Sequence, residues 1–441
     1  MLQTHNRMQE CMVLGDSHPA AVARGPTTRG PSVDNVVEGE DAPAEAGEPD
    51  VMAMMDPASC RAPQAMYRDL RESAPIMRAG EDMVVVASRA EIDHVLRCPE
   101  AYSSLMKDNI LGNVRPLIPL QIDPPDHKQY RRILDPIFAP KQMALLEDSV
   151  VDLVNRLIDR FIERGSCDLV EELSVPLPSE VFLTMLGLPL GDLPIFLEMK
   201  DGIVRAEGDD DDEREASRAK TGAEIYAYFD KVIDAREREP RHDLVSRFLA
   251  TEVDGVRLTR DEILDICYLF LIAGLDTVTS SLDCFFTYLV EHPEHRQEII
   301  DEPSLVPSAV EELLRWETPV MATLRLAVEN RELGGVEIQA GDQVAVLLGS
   351  ANTDESVVER PDEVDFRRAV NKHLAFGGGI HRCLGSHLAR LELRVVLREF
   401  HRRIPEYRFA DGFEPQFTPG VRAADRLQIV FPPGDRLEAS V

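Results

Sequence analysis

Cys383 stands in the run Phe376-Gly377-Gly378-Gly379-Ile380-His381-Arg382-Cys383-Leu384-Gly385, at the end of a glycine-rich loop and just before a helical pattern. A cysteine at a helix N-terminus meets free N–H groups and the positive end of the helix dipole, and both favour its thiolate. The glycines permit tight turning and let the backbone lie close against a flat ligand. A thiolate bound to iron pushes electron density onto the metal, which favours cleavage of an O–O bond. On the cysteine and glycines alone, a buried structural cysteine beside a turn is the commoner arrangement. The rest of the run and the remainder of the chain have to decide.

Three other groupings carry chemistry-bearing types. Ala273-Gly274-Leu275-Asp276-Thr277 falls inside a long helical pattern. There Gly274 weakens the helix and leaves room for a diatomic ligand, Thr277 offers a hydroxyl donor and Asp276 a proton relay. Glu312-Leu313-Leu314-Arg315 sets opposite charges at i, i+3 on one helix face, a pair that on a surface is worth under about 1 kcal/mol. Asp123-Pro124-Pro125-Asp126-His127-Lys128-Gln129-Tyr130-Arg131 puts His127 and Arg131 one helical turn apart.

The ten-residue run resembles the haem-binding signature of the cytochrome P450 family at each of its defining positions, Phe376, Gly377, Gly379, His381, Cys383 and Gly385. The likeness extends from about residue 56 to the end. It implies a mainly α protein with small β-sheets, of the cytochrome P450 fold. Haem b then lies between the long central helix and the cysteine loop with the final helix. Cys383 becomes the axial iron ligand, with Phe376 against the cofactor. His127, Arg131, Arg325 and His381 become the cationic partners of the haem propionates, a task suited to the arginine fork. Asp276 and Thr277 resemble the family's oxygen-activation pair, which makes them the catalytic residues. Glu312 and Arg315 match Glu-x-x-Arg, and the resemblance implies a buried structural network with Arg368 that holds the haem loop.

The implied activity is O2-dependent hydroxylation or epoxidation of a lipophilic small molecule such as a terpenoid, steroid or branched lipid. Electrons would come from NAD(P)H through a ferredoxin reductase and an iron–sulfur ferredoxin. Leu269, Ile272, Ala273, Val320 and Met321 are expected to face the substrate, with the loop over residues 105–120 closing on it. Lys128, Arg131, Arg132, Arg382, Arg390, Arg394 and Arg398 fall in segments that surround the thiolate side of the haem, and form an expected basic patch for an acidic ferredoxin. A peroxide-driven peroxygenase is the first alternative, disfavoured by the acid–alcohol pair. A non-catalytic haem sensor is the second.

These residues need elements to hold them. Residues 1–55, rich in Gly, Pro, Ala and acids, read as a disordered tail, and 56–441 as one catalytic domain. Residues 83–86 read as a strand and 91–96 as a helix. Residues 145–162 show amphipathic helical spacing, and a helix over 179–186 follows Pro176-Leu177-Pro178. The five acids at 209–213 read as a solvated loop extended by self-repulsion. A long helix is predicted over 261–291, capped by Thr259 or Asp261. It is followed by a helix at 307–316, strands at 336–338 and 343–348, a final helix over 385–401 and a strand at 427–431.

Composition narrows the class. The chain has 441 residues, 44% of them hydrophobic, with 79 acids against 48 bases and a net charge of −31. That balance repels phosphate backbones and anionic membrane surfaces. Aromatic residues make up only 6%, with one tryptophan, which argues against a stacking surface for sugars or nucleic acid. No apolar run in the sequence approaches the roughly 20 residues of a membrane span, and the N-terminus lacks a signal-peptide core. A cytoplasmic protein without stable membrane association is expected. The seven scattered cysteines read as thiols, most of them small buried hydrophobes.

Overall fold

In a computed structural model, which describes residues 56–107, 110–253 and 255–437, the long central helix runs Arg260–Glu291. Thr259 and Glu262 form a reciprocal capping box at its start, satisfying two N-terminal donors that would otherwise be orphaned. Its 32 residues span about 48 Å. By length and composition this helix is apolar enough to cross a membrane, contrary to the sequence reading; 72% of its most apolar window is buried inside the protein. It is a core helix.

Helices Pro176–Met185, Leu193–Val204 and Asp211–Arg238 pack on this helix, as do Val306–Glu317 and Ser386–Arg403. Its first half, through Leu275, joins a core cluster with Phe182, Phe196, Phe229 and Phe248. Its second half, from Val278, joins another with Leu313, Leu391, Val396 and Phe400. The seam between the two clusters falls at Asp276 and Thr277. A five-stranded sheet lies to one side, in the order Ile76–Arg78, Met83–Val86, Gln343–Leu347, Ala322–Ala327, Tyr102–Ser103. Gln343–Leu347 runs parallel to Met83–Val86 and antiparallel to Ala322–Ala327, setting Val344 opposite Arg325.

Several elements differ from expectation. The tail proposed for residues 1–55 lies outside the described residues. The helix read at 179–186 is Pro176–Met185, because prolines are tolerated in a first turn, where N–H groups have no helical partner. The five acids do not form an extended loop. Asp210 caps the helix Asp211–Arg238, its carboxylate accepting from Glu213 N, and Asp211, Asp212 and Glu213 fill the first turn. There acids complement the positive end of the helix dipole, so helix formation prevails over self-repulsion. The 145–162 pattern resolves into Glu147–Asp159 flanked by 3₁₀ turns.

The chain's far regions are tied by Arg422, which is fully buried. Its guanidinium donates to the carbonyls of Cys60, Arg61 and Glu317 and pairs with the Glu317 carboxylate at 2.9 Å. None of the described cysteines forms a disulfide.

Candidate active site

The cysteine loop owes its path to two glycines. Gly377 and Gly379 have φ of 66° and 64°, a region that side chains disfavour. A Cβ on Gly379 would also lie 2.0 Å from the Leu96 carbonyl oxygen, whereas around Gly377 and Gly385 there is open space. Cys383 N donates to Phe376 O at 2.9 Å, which closes the loop before Gly385 caps the helix Ser386–Arg403. Cys383 keeps exposed surface, although nearby Leu374 and Ser386 are buried. Burial among protein atoms pushes its thiol up; the Gly385 N–H and the guanidinium groups of Arg131, Arg390 and Arg382 pull the other way. The sequence reading counted only the stabilising side. A cation at the sulfur itself would add to the contributions that favour the thiolate.

Beside the cysteine, the His127 and His381 rings meet at a tilt of 56°, with centroids 4.3 Å apart. The Nε2 atoms of both are buried without a hydrogen-bond partner. Burial lowers His127 to about 4 and His381 to about 3, helped by nearby arginines. Arg325 is buried, and its guanidinium donates to Leu324 O and Thr323 Oγ1; no described carboxylate forms an ion pair with it. Burial brings its pKa down to about 10. Arg131 pairs with Asp135 at 2.8 Å and donates to Arg382 O. Desolvated donors of this kind are costly unless an anion meets them. Orphaned imidazole nitrogens, an arginine without a carboxylate, an open cysteine and two open glycines together fit a flat, iron-bearing group with two carboxylates.

On the central helix, Ala273 is exposed and Ile272 and Thr277 are half-buried, although most of the helix is buried. Thr277 Oγ1 donates to Ala273 O at 3.0 Å. The helix is unbroken at Gly274, and a Cβ there would meet Phe182 at 3.2 Å. Gly274 therefore serves close packing of Phe182 against the central helix. Asp276 is buried and accepts from Lys200 Nζ at 3.2 Å; Lys200, buried too, also pairs with Asp201 at 2.9 Å. Sequence reasoning missed Lys200. A single lysine amid Ile195, Phe196, Leu197 and Met199 was the signal. Of the other expected substrate contacts, Val320 keeps partial exposure, but Leu269 and Met321 are buried in the two core clusters, where their area is spent on packing.

Glu312 and Arg315 are both almost fully buried. Glu312 accepts from Arg315, from Arg368 Nε at 3.0 and 3.1 Å, from Asn371 Nδ2 and from Asp365 N. Arg315 continues to the carbonyls of Asn352, Pro361 and Glu363. Neighbouring Glu311 holds Arg390 at 2.6 and 2.8 Å, and Arg390 lies over the Phe376 ring at 4.3 Å. This second link between the Glu-x-x-Arg helix and the cysteine loop was also missed. The expected basic patch is thinner than proposed, since Arg390 is bound to Glu311 and Arg398 to Glu147 and Glu399. Lys128 and Arg382 stay exposed.

The cytochrome P450 family model matches residues 213–404. The chain is 33% identical to the steroid C26-monooxygenase of Mycolicibacterium smegmatis over 83% of its own length and 92% of the relative's. It is 33% identical to the mycinamicin IV hydroxylase/epoxidase of Micromonospora griseorubida over 78% and 88%. Among solved structures, CYP109E1 from Bacillus megaterium with corticosterone aligns at a TM-score of 0.76 and 30% identity, covering 85% of this chain and 99% of that one.

Proposed function

The chain belongs to the cytochrome P450 family and is a monooxygenase; from there we propose that it hydroxylates or epoxidises a lipophilic small molecule, a terpenoid, steroid or branched lipid, with electrons from a ferredoxin. The haem that the family implies supplies, when bound, an iron at which O2 is activated. Cys383 would hold that iron. Arg131 and Arg325 would neutralise the propionates and the His127 and His381 imidazoles would donate hydrogen bonds to them, which relieves the desolvation that burial now imposes on Arg325 and the two histidines. Thr277, once its hydroxyl leaves the Ala273 carbonyl, would donate a hydrogen bond on the oxygen side. Asp276 would pass protons to that hydroxyl, with Lys200 holding the carboxylate in place between turnovers. Ile272 and Ala273 would present apolar surface to the substrate.

The observation that carries the reading is the open Cys383 beside buried cationic and imidazole groups that lack carboxylate partners. Steroid and macrolide oxidation by relatives supports a bulky apolar substrate. Replacing Cys383 with Ser should abolish the ferrous carbon-monoxide absorption band of the haem-thiolate. A band like the wild type's in C383S would reject the assignment. Titrating terpenoids, steroids and fatty acids while following the haem spectrum should identify at least one class that displaces the iron's water.

A further inference from the structure

Pro293 ends the central helix and starts the next, Pro293–Asp301, so that His292 occupies the cap between them. Three residues of this corner face one another. The ligand atoms offered by His292, Glu294 and His295 lie within 4.8 Å of one another, with His292 Nδ1 3.2 Å from Glu294 Oε1. Two donors bound tetrahedrally to one zinc ion stand about 3.3 Å apart, so that pair already has the required separation. His295 is held from behind, its Nδ1 2.7 Å from the hydroxyl of the buried Tyr288. An oxygen on Nδ1 leaves Nε2 for an ion, and such a contact orients metal-binding histidines. Tyr288 also stacks on His292, with centroids 4.2 Å apart, so one buried ring positions both imidazoles. His292 and Glu294 are 43% and 64% exposed, which leaves a path for an ion. The Glu294 backbone N–H, opposed by slight desolvation and aided by His292, lowers the Glu294 carboxyl.

We propose that His292, Glu294 and His295 bind a first-row divalent cation, Zn2+ above all, at the corner where the central helix ends. Two imidazoles and one carboxylate are a common zinc set, with water completing the tetrahedron. The ion would tie the end of the central helix to the helix that follows.

The test is calorimetric titration of the haem-loaded full chain with ZnCl2. One equivalent should bind and raise the melting temperature. Replacing both His292 and His295 with Gln should weaken binding at least about tenfold, and Tyr288→Phe about ten- to hundredfold by releasing the His295 ring. His242→Gln, at an exposed histidine elsewhere, should change nothing. Glu294→Gln serves as the exposed, fold-neutral variant if the double variant loses its haem spectrum. A dissociation constant weaker than about 0.1 mM, or zinc binding unaltered in both H292Q/H295Q and E294Q, would overturn the site.

Discussion

At the scale of single residues, the site is set by groups whose partners are missing or unusually buried. Thr277→Ala should leave reductant consumption running while product falls and peroxide is released, which an oxygen and peroxide balance measures directly. Tight coupling in that variant would deny Thr277 its proton role. Lys200→Met strands the buried Asp276 carboxylate and should cost about 3–5 kcal/mol in urea unfolding. Adding Asp276→Asn should restore most of that loss, because both charges are then gone. Cys383, Thr277 and Asp276 could be proposed from sequence because their types and spacing form a specific pattern. Lys200 could not, since its partner is 76 positions away and only folding puts the two side chains together. Leu269 and Met321 lie in the core clusters, and sequence alone does not tell an apolar residue that faces substrate from one that faces core.

Between elements, the Glu-x-x-Arg helix anchors the cysteine loop in two ways. Glu312→Gln would leave Arg315 and Arg368 buried with a neutral partner and should lower stability by about 3–5 kcal/mol, with loss of haem retention. Glu311 acts through Arg390 on Phe376. Burial raises its carboxyl, but His373 and Arg390 outweigh that and hold it at about 2, below its ordinary 4.5. Its contribution is therefore complete above pH 4.5 and lost as pH falls from 4.5 towards 2. Glu311→Gln should cost about 1–3 kcal/mol at pH 7, with a difference from wild type that shrinks across that window when unfolding is followed by haem absorbance. The long helices were readable because capping residues and apolar spacing agree, as at Thr259. The helix Asp211–Arg238 was obscured by its own start, where contiguous acids look like an extended loop until Asp210 is seen to cap Glu213.

Over the whole molecule, an acidic chain still presents Lys128 and Arg382 as exposed bases near the cysteine loop. Lys128→Glu with Arg382→Glu should slow reduction by a ferredoxin about tenfold at low salt, leave substrate-induced spectral shifts intact, and lose its effect as salt rises. Unchanged reduction kinetics would reject this docking face. The identity of the substrate was not readable at this scale because it depends on the shape of the space around the site, which composition does not encode. Arg422 has one more implication. It serves the Cys60 carbonyl across 362 positions of sequence, and a ribosome adding about 5–20 residues per second needs roughly 20 to 70 seconds to cover that interval. Until then the segment around Cys60 has emerged without the guanidinium that secures it, so during synthesis it stays within reach of chaperones and proteases.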